Sequence, residues 1–251
     1  MTLKDKTIII TGAASGIGLN LAHQCLAEGA YVMGVDQPSK KIPIKDLNFH
    51  AYYYDLSIAE NVDKMFDDGL TIFGTINIFI ANAGFAYYER LIEPSWNHIE
   101  DIYNINTNSV IYSALKMREV CAKNAFHFIC MSSVMSYWPL PGYSLYSSSK
   151  AALHAFFKGF RYELNKEQQL HIVFPVSTKT NFFKISGQNH QHWFQQTPEH
   201  VAKVILKGVK KNKNNIHPSK IFKWVYRLFP WALSFYINHE IKQLDKQFKR
   251  Q

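Results

Sequence analysis

The stretch Thr7-Ile8-Ile9-Ile10 runs directly into Thr11-Gly12-Ala13-Ala14-Ser15-Gly16-Ile17-Gly18, and no other segment limits the possible folds as tightly. The β-branched run has the form of a strand buried on both faces. The glycines let the backbone turn sharply, and a helical pattern then extends from Ile17 to about Glu28 before Gly29 stops it. Strand, glycine turn and helix start open a βαβ unit, in which helix N-terminal amides can meet a pyrophosphate. Three residues separate the first two glycines, not one as in G-x-G-x-x-G, so the turn alone also fits an ordinary strand-to-helix connection.

The alternation continues. Tyr31-Val32-Met33-Gly34-Val35-Asp36 reads as the second strand. Further strands are predicted around 49–54, 76–81, 125–132 and 170–175, with helices around 58–69, 95–122, 144–166 and 198–210. The pattern predicts an α/β, Rossmann-like doubly wound parallel sheet in three α/β/α layers. Only eighteen residues lie between Asp36 and Asp55, and Pro38 and Pro43 disfavour a helix there, so that crossover is expected to be mostly loop.

Asp36 ends the second strand eighteen residues after Gly18. A carboxylate there can accept hydrogen bonds from both ribose hydroxyls of an adenosine and repels a 2′-phosphate. Gln37 rather than an arginine follows it, and Ser15 rather than a basic residue precedes Gly16. These features favour NAD over NADP. Lys40 and Lys41 are the nearby cations through which a phosphate could still be received.

Tyr146 and Lys150 stand four residues apart on a predicted helix, so both side chains project from one face. A phenol with a reference pKa of about 10 is a poor proton carrier at neutrality. Bringing it near neutral requires about 4 kcal/mol of differential stabilisation, which an adjacent ammonium helps to supply. Y-x-x-x-K by itself also describes a surface tyrosine near a solvated lysine. Here Ser133 lies thirteen residues before the tyrosine.

With these residues in order, the sequence resembles the short-chain dehydrogenase/reductase family, in its single-domain branch of about this length. The resemblance runs from Thr7 to roughly Gly208. It rests on Thr11-Gly12-x-x-x-Gly16-x-Gly18, Asp36, Asp55-Leu56, Asn82-Ala83-Gly84, Asn106, Ser132-Ser133, Tyr146-x-x-x-Lys150 and the segment Pro175 to Thr180. It implies reversible hydride transfer between a nicotinamide and an alcohol/carbonyl pair. By the same resemblance Tyr146 gives or takes the proton at the substrate oxygen, and Ser133 orients that oxygen. Lys150 holds the nicotinamide ribose and lowers the tyrosine pKa, and Asn106 holds a water of the proton relay. The cofactor is expected to lie along Gly12, Ser15, Gly16, Ile17, Gly18, Asp36, Asp55, Leu56, Asn82, Ala83 and Gly84, with Tyr146, Lys150 and Thr180 toward its nicotinamide. One departure is visible. The family has Pro-Gly after the sixth strand, whereas this chain reads Pro175-Val176, and a β-branched residue resists positive φ.

We read residues 1–218 as the dinucleotide-binding catalytic domain and 219–251 as its basic, aromatic, helical C-terminal extension. Residues 201–251 carry twelve Lys/Arg and two acids, a balance of 12 − 2 = +10; the first 200 carry sixteen and seventeen, 16 − 17 = −1. No DNA- or RNA-binding motif accompanies the basic tail, so nucleic acid is not an expected partner. Between Ile221 and Ile237 large apolar residues mix with cations, and Pro230 should break the segment into two short helical pieces. That composition suits an interfacial helix on anionic lipid; a cover for the substrate pocket or a subunit contact is the alternative.

Phe85, Tyr87 and Tyr88, then Tyr137, Trp138 and Leu140, then Phe182, Phe183, Trp193 and Phe194 border the cleft in the resembling fold. Their character favours an apolar or lipid-like substrate. Ile111, Leu115, Phe156, Phe157 and Phe160 mark two long helices that the resemblance pairs between subunits, in a homodimer or homotetramer. The N-terminus lacks the form of a signal peptide, and Cys25, Cys121 and Cys130 read as buried free thiols, which together suggest a cytoplasmic protein. The histidines are scattered; His190 and His192 read as a surface or lid loop, and no metal site is expected. The competing readings are a dinucleotide-binding regulator with weakened catalysis and a membrane-surface scaffold.

Overall fold

Apolar β-branched and aromatic runs pair side by side because helices cover both faces of the sheet they form. The protein is seen in a computed structural model that describes residues 1–188, 195–228 and 230–248. The strands are β1 (Thr7–Thr11), β2 (Tyr31–Asp36), β3 (Phe49–Tyr53), β4 (Ile78–Ala81), β5 (Phe126–Met131), β6 (Gln168–Val173) and β7 (Asn215–Ile216). They lie in the order β3-β2-β1-β4-β5-β6-β7, each parallel to its neighbours. The order reverses between β1 and β4, which is where such sheets open a crevice at their carboxyl ends.

The helices are α1 (Gly16–Ala27), α2 (Ala59–Phe73), α3 (Trp96–Tyr103), α4 (Ser109–Cys121), α5 (Ser144–Phe160), α6 (Phe182–Ile185), α7 (Pro198–Lys210), α8 (Lys220–Leu228) and α9 (Pro230–Gln247). Successive side chains of a strand point to opposite faces. Ile8, Ile10, Ile78, Ile80 and Ile129 therefore pack under α1 and α7, while Ile9, Phe79 and Phe128 pack under α2, α4 and α5. On the second face Phe66, Phe79, Phe128 and Phe157 stack in file from α2 to α5, with ring centroids 5.2, 5.2 and 5.4 Å apart. Burying each such ring contributes roughly 1.5–3 kcal/mol. A third cluster, with Tyr88, Leu140 and Tyr143 at its centre, sits over the substrate side and includes Tyr236, Leu244 and Phe248 from the tail.

Several details depart from the sequence expectation. The segment 95–122 is not one helix: a π turn at Asn104–Asn108 divides it. The helix at 144–166 ends at Phe160 and tightens into a 3₁₀ turn over Arg161–Glu163. Pro230 does divide the tail into two helices, but only α8 is short: Pro230 opens α9, an eighteen-residue helix, at the one end where its missing N–H costs nothing. Of the apolar residues proposed to pair between subunits, Phe157 and Phe160 are buried in the core. Leu115 is half exposed. The crossover between β2 and β3 contains no helix, and Ile42 and Ile44 pack it against the α1 side. The three cysteines are buried and free, and burial pushes the Cys25 and Cys130 thiols up to about 12.

At the β5–β6 ladder, His171 Nδ1 lies 2.7 Å from the Lys213 carbonyl, and its Nε2 lies 2.9 Å from His127 Nδ1. A carbonyl only accepts, so His171 carries its proton on Nδ1 and receives one from His127; both rings are neutral. Burial, reinforced by the neighbouring ring, brings His127 from its usual 6.5 down to about 4, and burial lowers His171 as well. Unfolded chains take up these protons between those pH values and the folded protein does not, so stability falls as pH drops through that window. By about pH 5 the loss should reach about 2 kcal/mol for His127, read by urea unfolding. His127→Gln, which can still donate to His171, should flatten the slope; an unchanged slope would refute the assignment.

Candidate active site

The glycine turn is lashed to the loop across the switch point. Thr11 Oγ1 accepts from the backbone N–H of Asn82 and of Ala83, each at 3.0 Å. In return Asn82 Nδ2 donates to the carbonyls of Thr11 and Gly12, at 3.0 and 3.2 Å. Gly12 and Gly16 hold φ of +69° and +56°, which L side chains rarely adopt. At Gly18 the reason for glycine is space: a Cβ would overlap the Gly12 carbonyl oxygen and stand 2.6 Å from Asn82 Nδ2. Ser15 leads into α1 with no side-chain cap, and the first turn of that helix has no acidic residue. Its first amides are thus left to an anion.

A cleft of about 500 Å³ opens above this turn. Gly12, Ser15, Gly16, Ile17, Asp36, Asp55, Leu56, Asn82, Ala83, Gly84, Ser133, Tyr146, Lys150 and Thr180 all line it. Gly18 and Asn106 do not; they stand behind the lining and shape it. Asp36 Oδ2 accepts from Ala14 N at 2.8 Å and Oδ1 from Gln37 N at 2.9 Å, which fixes the carboxylate beside the turn. A carboxylate has about four acceptor positions, so lone pairs remain for two hydroxyls. Lys40 also lines the cleft, whereas Lys41 does not.

Ser133 follows β5, where its extended backbone (φ −159°) opens a 3₁₀ turn and its Oγ accepts from Met135 N at 3.1 Å. Tyr146 is on the first turn of α5, with Ser133 as the polar neighbour that acts against the rise of its pKa. Lys150, one turn on, donates from Nζ to the Met131 carbonyl at 3.0 Å, and this Nζ lies 5.8 Å from the Tyr146 ring centre. The expected depression of the tyrosine pKa is not what this site shows. Burial pushes Tyr146 up to about 12, opposed by Ser133, and burial brings Lys150 down to about 8. Desolvation outweighs the charge of a neighbour that is itself desolvated.

Asn106 lies within the π turn and is completely buried. Its Oδ1 accepts from Phe85 N at 3.0 Å, and its Nδ2 donates to Phe85 O at 2.8 Å and to Ser149 Oγ at 3.3 Å. A Cβ on Gly84 would stand 2.9 Å from Asn106 Oδ1 and 3.5 Å from Lys150 Nζ, so a side chain there would crowd the asparagine and touch the lysine. Val176 causes no strain: it is absent from the positive-φ positions, and its carbonyl accepts from Thr178 Oγ1 at 3.0 Å. Thr180 faces the glycine turn, its Cγ2 3.0 Å from where a Gly16 Cβ would be.

The aromatic residues divide. Phe85, Phe182 and Phe183 line the cleft, joined by Met135 and Ile185. Tyr87 instead stacks on His98, while Tyr137 meets Phe174, and Trp138 meets Phe222 and Tyr236 of the tail, at tilted angles. Tyr88 and Leu140 are core of the third cluster. Trp193, Phe194, His190 and His192 lie outside the described residues. Among the described residues no three His, Cys, Asp or Glu side chains gather as a metal would require. Ser149 and Met131 escaped the sequence reading. Met131 matters through the geometry of β5, and Ser149 through the turn that carries Asn106; neither has a local sequence signal.

A sequence profile described as short chain dehydrogenase matches residues 6–191. The chain is 26% identical to 11-beta-hydroxysteroid dehydrogenase-like 3 of Arabidopsis thaliana, over 98% of this chain and 84% of that one. It is 30% identical to sorbitol-6-phosphate 2-dehydrogenase of Klebsiella pneumoniae, over 66% of each. Its fold is similar to that of a short chain dehydrogenase/reductase from Burkholderia phymatum solved in complex with NAD, with a TM-score of 0.80 at 16% identity, covering 94% of this chain and 96% of that one. A short-chain dehydrogenase from Sphingobium yanoikuyae in complex with NADPH gives 0.78 at 19%, covering 93% and 95%. With the profile spanning most of its length, the chain belongs to the short-chain dehydrogenase family.

Proposed function

We propose that this chain, an oxidoreductase of the short-chain dehydrogenase family, transfers a hydride between NAD and an alcohol/carbonyl pair whose body is apolar. The meeting of Ser133, Tyr146 and Lys150 on one wall of the cleft carries this reading. The residues present fit a nicotinamide dinucleotide: left-handed glycines leave a cradle without Cβ atoms, an uncapped helix start can receive a pyrophosphate, and Asp36 is fixed beside them. When bound, the nicotinamide supplies the hydride acceptor for oxidation and the donor for reduction. Tyr146 Oη gives its proton to a carbonyl oxygen or takes one from an alcohol, and Ser133 Oγ holds that oxygen in place. With its pKa held up, Tyr146 rests in the protonated form that reduction needs. Lys150, when protonated, sets positive charge near the phenol as it gives up its proton. Asn106 is a positioning residue in this scheme, because its amide is engaged on Phe85 and Ser149. Phe85, Phe182 and Phe183 support the apolar substrate. Homodimer or homotetramer pairing across α4 and α5 belongs to the same proposal.

The cofactor choice rests on Asp36. Its carboxylate should repel a 2′-phosphate, so calorimetry should find NAD bound roughly tenfold or more tighter than NADP, a difference of about 1.4 kcal/mol. Asp36→Ala should narrow the gap. Equal or tighter binding of NADP by the unaltered protein would overturn the preference and turn attention to Lys40. Turnover of apolar alcohols and aldehydes with NAD(H), against short polar ones, tests the substrate class.

A further inference from the structure

The C-terminal helices have an inner and an outer side, and the two are chemically opposite. Inward, Phe222 packs on Trp138, Tyr236 on the same indole, and Leu233 is buried. Outward, Ile221, Trp224 and Leu228 of α8 and Trp231 and Phe235 of α9 are each 55–79% exposed. Steps of three and four residues keep Ile221, Trp224 and Leu228 on one side of α8, and a step of four does so for Trp231 and Phe235 on α9. Large apolar residues gathered on an outer surface in this way mark an interaction site.

The charges are sorted by the same geometry. Residues 201–251 contain two acids, one of them buried and the other ion-paired. Glu240 is 1% exposed, and Asp245 is paired with Arg90 of the body. Of the twelve lysines and arginines in the sequence of this stretch, Lys210 pairs with Glu28 of the body, while Lys220, Lys242 and Lys246 are exposed on α8 and α9.

We infer that α8 and α9 dock the protein on an anionic lipid surface, with Trp224, Trp231 and Phe235 entering the headgroup boundary. Apolar side chains among cations are what such an interface takes up, to a depth of about 5–10 Å. Indole rings, apolar with one polar edge, prefer that depth. A second copy of this chain is the less suited occupant, because two-fold pairing would place the same cations against one another. Among the described residues no helix is long and apolar enough to cross a membrane, so the contact is peripheral.

The test is co-sedimentation of the full chain with vesicles of phosphatidylcholine alone or of phosphatidylcholine with phosphatidylserine. Binding should be roughly tenfold or more tighter to the anionic vesicles and should weaken as salt is raised. Trp224→Ser with Phe235→Ser should lower it by a further roughly tenfold or more. Ile221→Ser with Leu228→Ser is an independent pair should the first fail to fold, with far-ultraviolet circular dichroism as the check. Binding equal on both vesicles, absent on both, or unchanged in a folded variant would overturn the inference. So would a fall in molar mass by light scattering in the variants when the unaltered protein ignores vesicles, which would assign the stripe to a second copy. The assay reads no turnover, so failure here and failure of the hydride-transfer reading are separable.

Discussion

Tyr146→Phe is expected to lower kcat by roughly 10²–10⁴-fold, the range that a positioned acid–base group contributes. NAD affinity should stay within about threefold, since the ring and its packing against Phe182 remain. The hydroxyl is lost from a buried position where it met Ser133, so the fold should suffer little. Lys150→Ala should reduce both quantities. That lysine fills a buried place and donates to the Met131 carbonyl, which its removal leaves unpaired. Steady-state kinetics and cofactor titration on both variants separate these outcomes. Retained turnover in Tyr146→Phe would mean that another acid serves, and the proposed chemistry would fall.

Gly18→Ala should be nearly as damaging by a different route. The new Cβ would overlap the Gly12 carbonyl, which is backbone and cannot rotate away, and would crowd the Asn82 amide that lashes the two loops. Overpacking of this kind costs roughly 1–3 kcal/mol, and relief requires the glycine turn to shift. We therefore expect lower stability in urea together with NAD binding weakened by roughly tenfold or more. Gly159→Ala is the matched control. It lies in α5 with nothing within 4 Å of its Cβ, so alanine should stabilise by about 0.5–1 kcal/mol. Normal stability and binding in Gly18→Ala would show that the turn is more yielding than its geometry implies.

Local signals were enough for much of this architecture. Tyr31–Asp36 and Pro198–Lys210 are legible to the residue because each has punctuation: Gly29 before the strand, and Thr197-Pro198 at the helix start, where Thr197 Oγ1 accepts from His200 N. The π turn was not legible, because apolar residues Ile102 and Ile105 continue a helical pattern through it. β7 has two residues and exists only by pairing with Ile172 and Val173. Within the site, the residue types and spacings reveal who takes part. What they do to one another is decided by burial, which is a property of the whole fold. That is why the tyrosine–lysine pair could be found in the sequence while the direction of the Tyr146 shift could not. Val176 illustrates the converse: a substitution that reads as strain sits at an ordinary backbone angle.

Helix α9 and Phe248 just after it touch the two segments that run on from Phe85 and from α6. Asp245 pairs with Arg90 on one, Gln247 Nε2 donates to the Gly187 carbonyl at 2.6 Å on the other, and Phe248 meets Tyr88 between them. These contacts join the last residues of the chain to segments made much earlier, and long sequence separations are slow to close. On refolding, the sheet and its glycine turn are therefore expected to form before α9 docks, so the tail is the last part of the chain to be fixed.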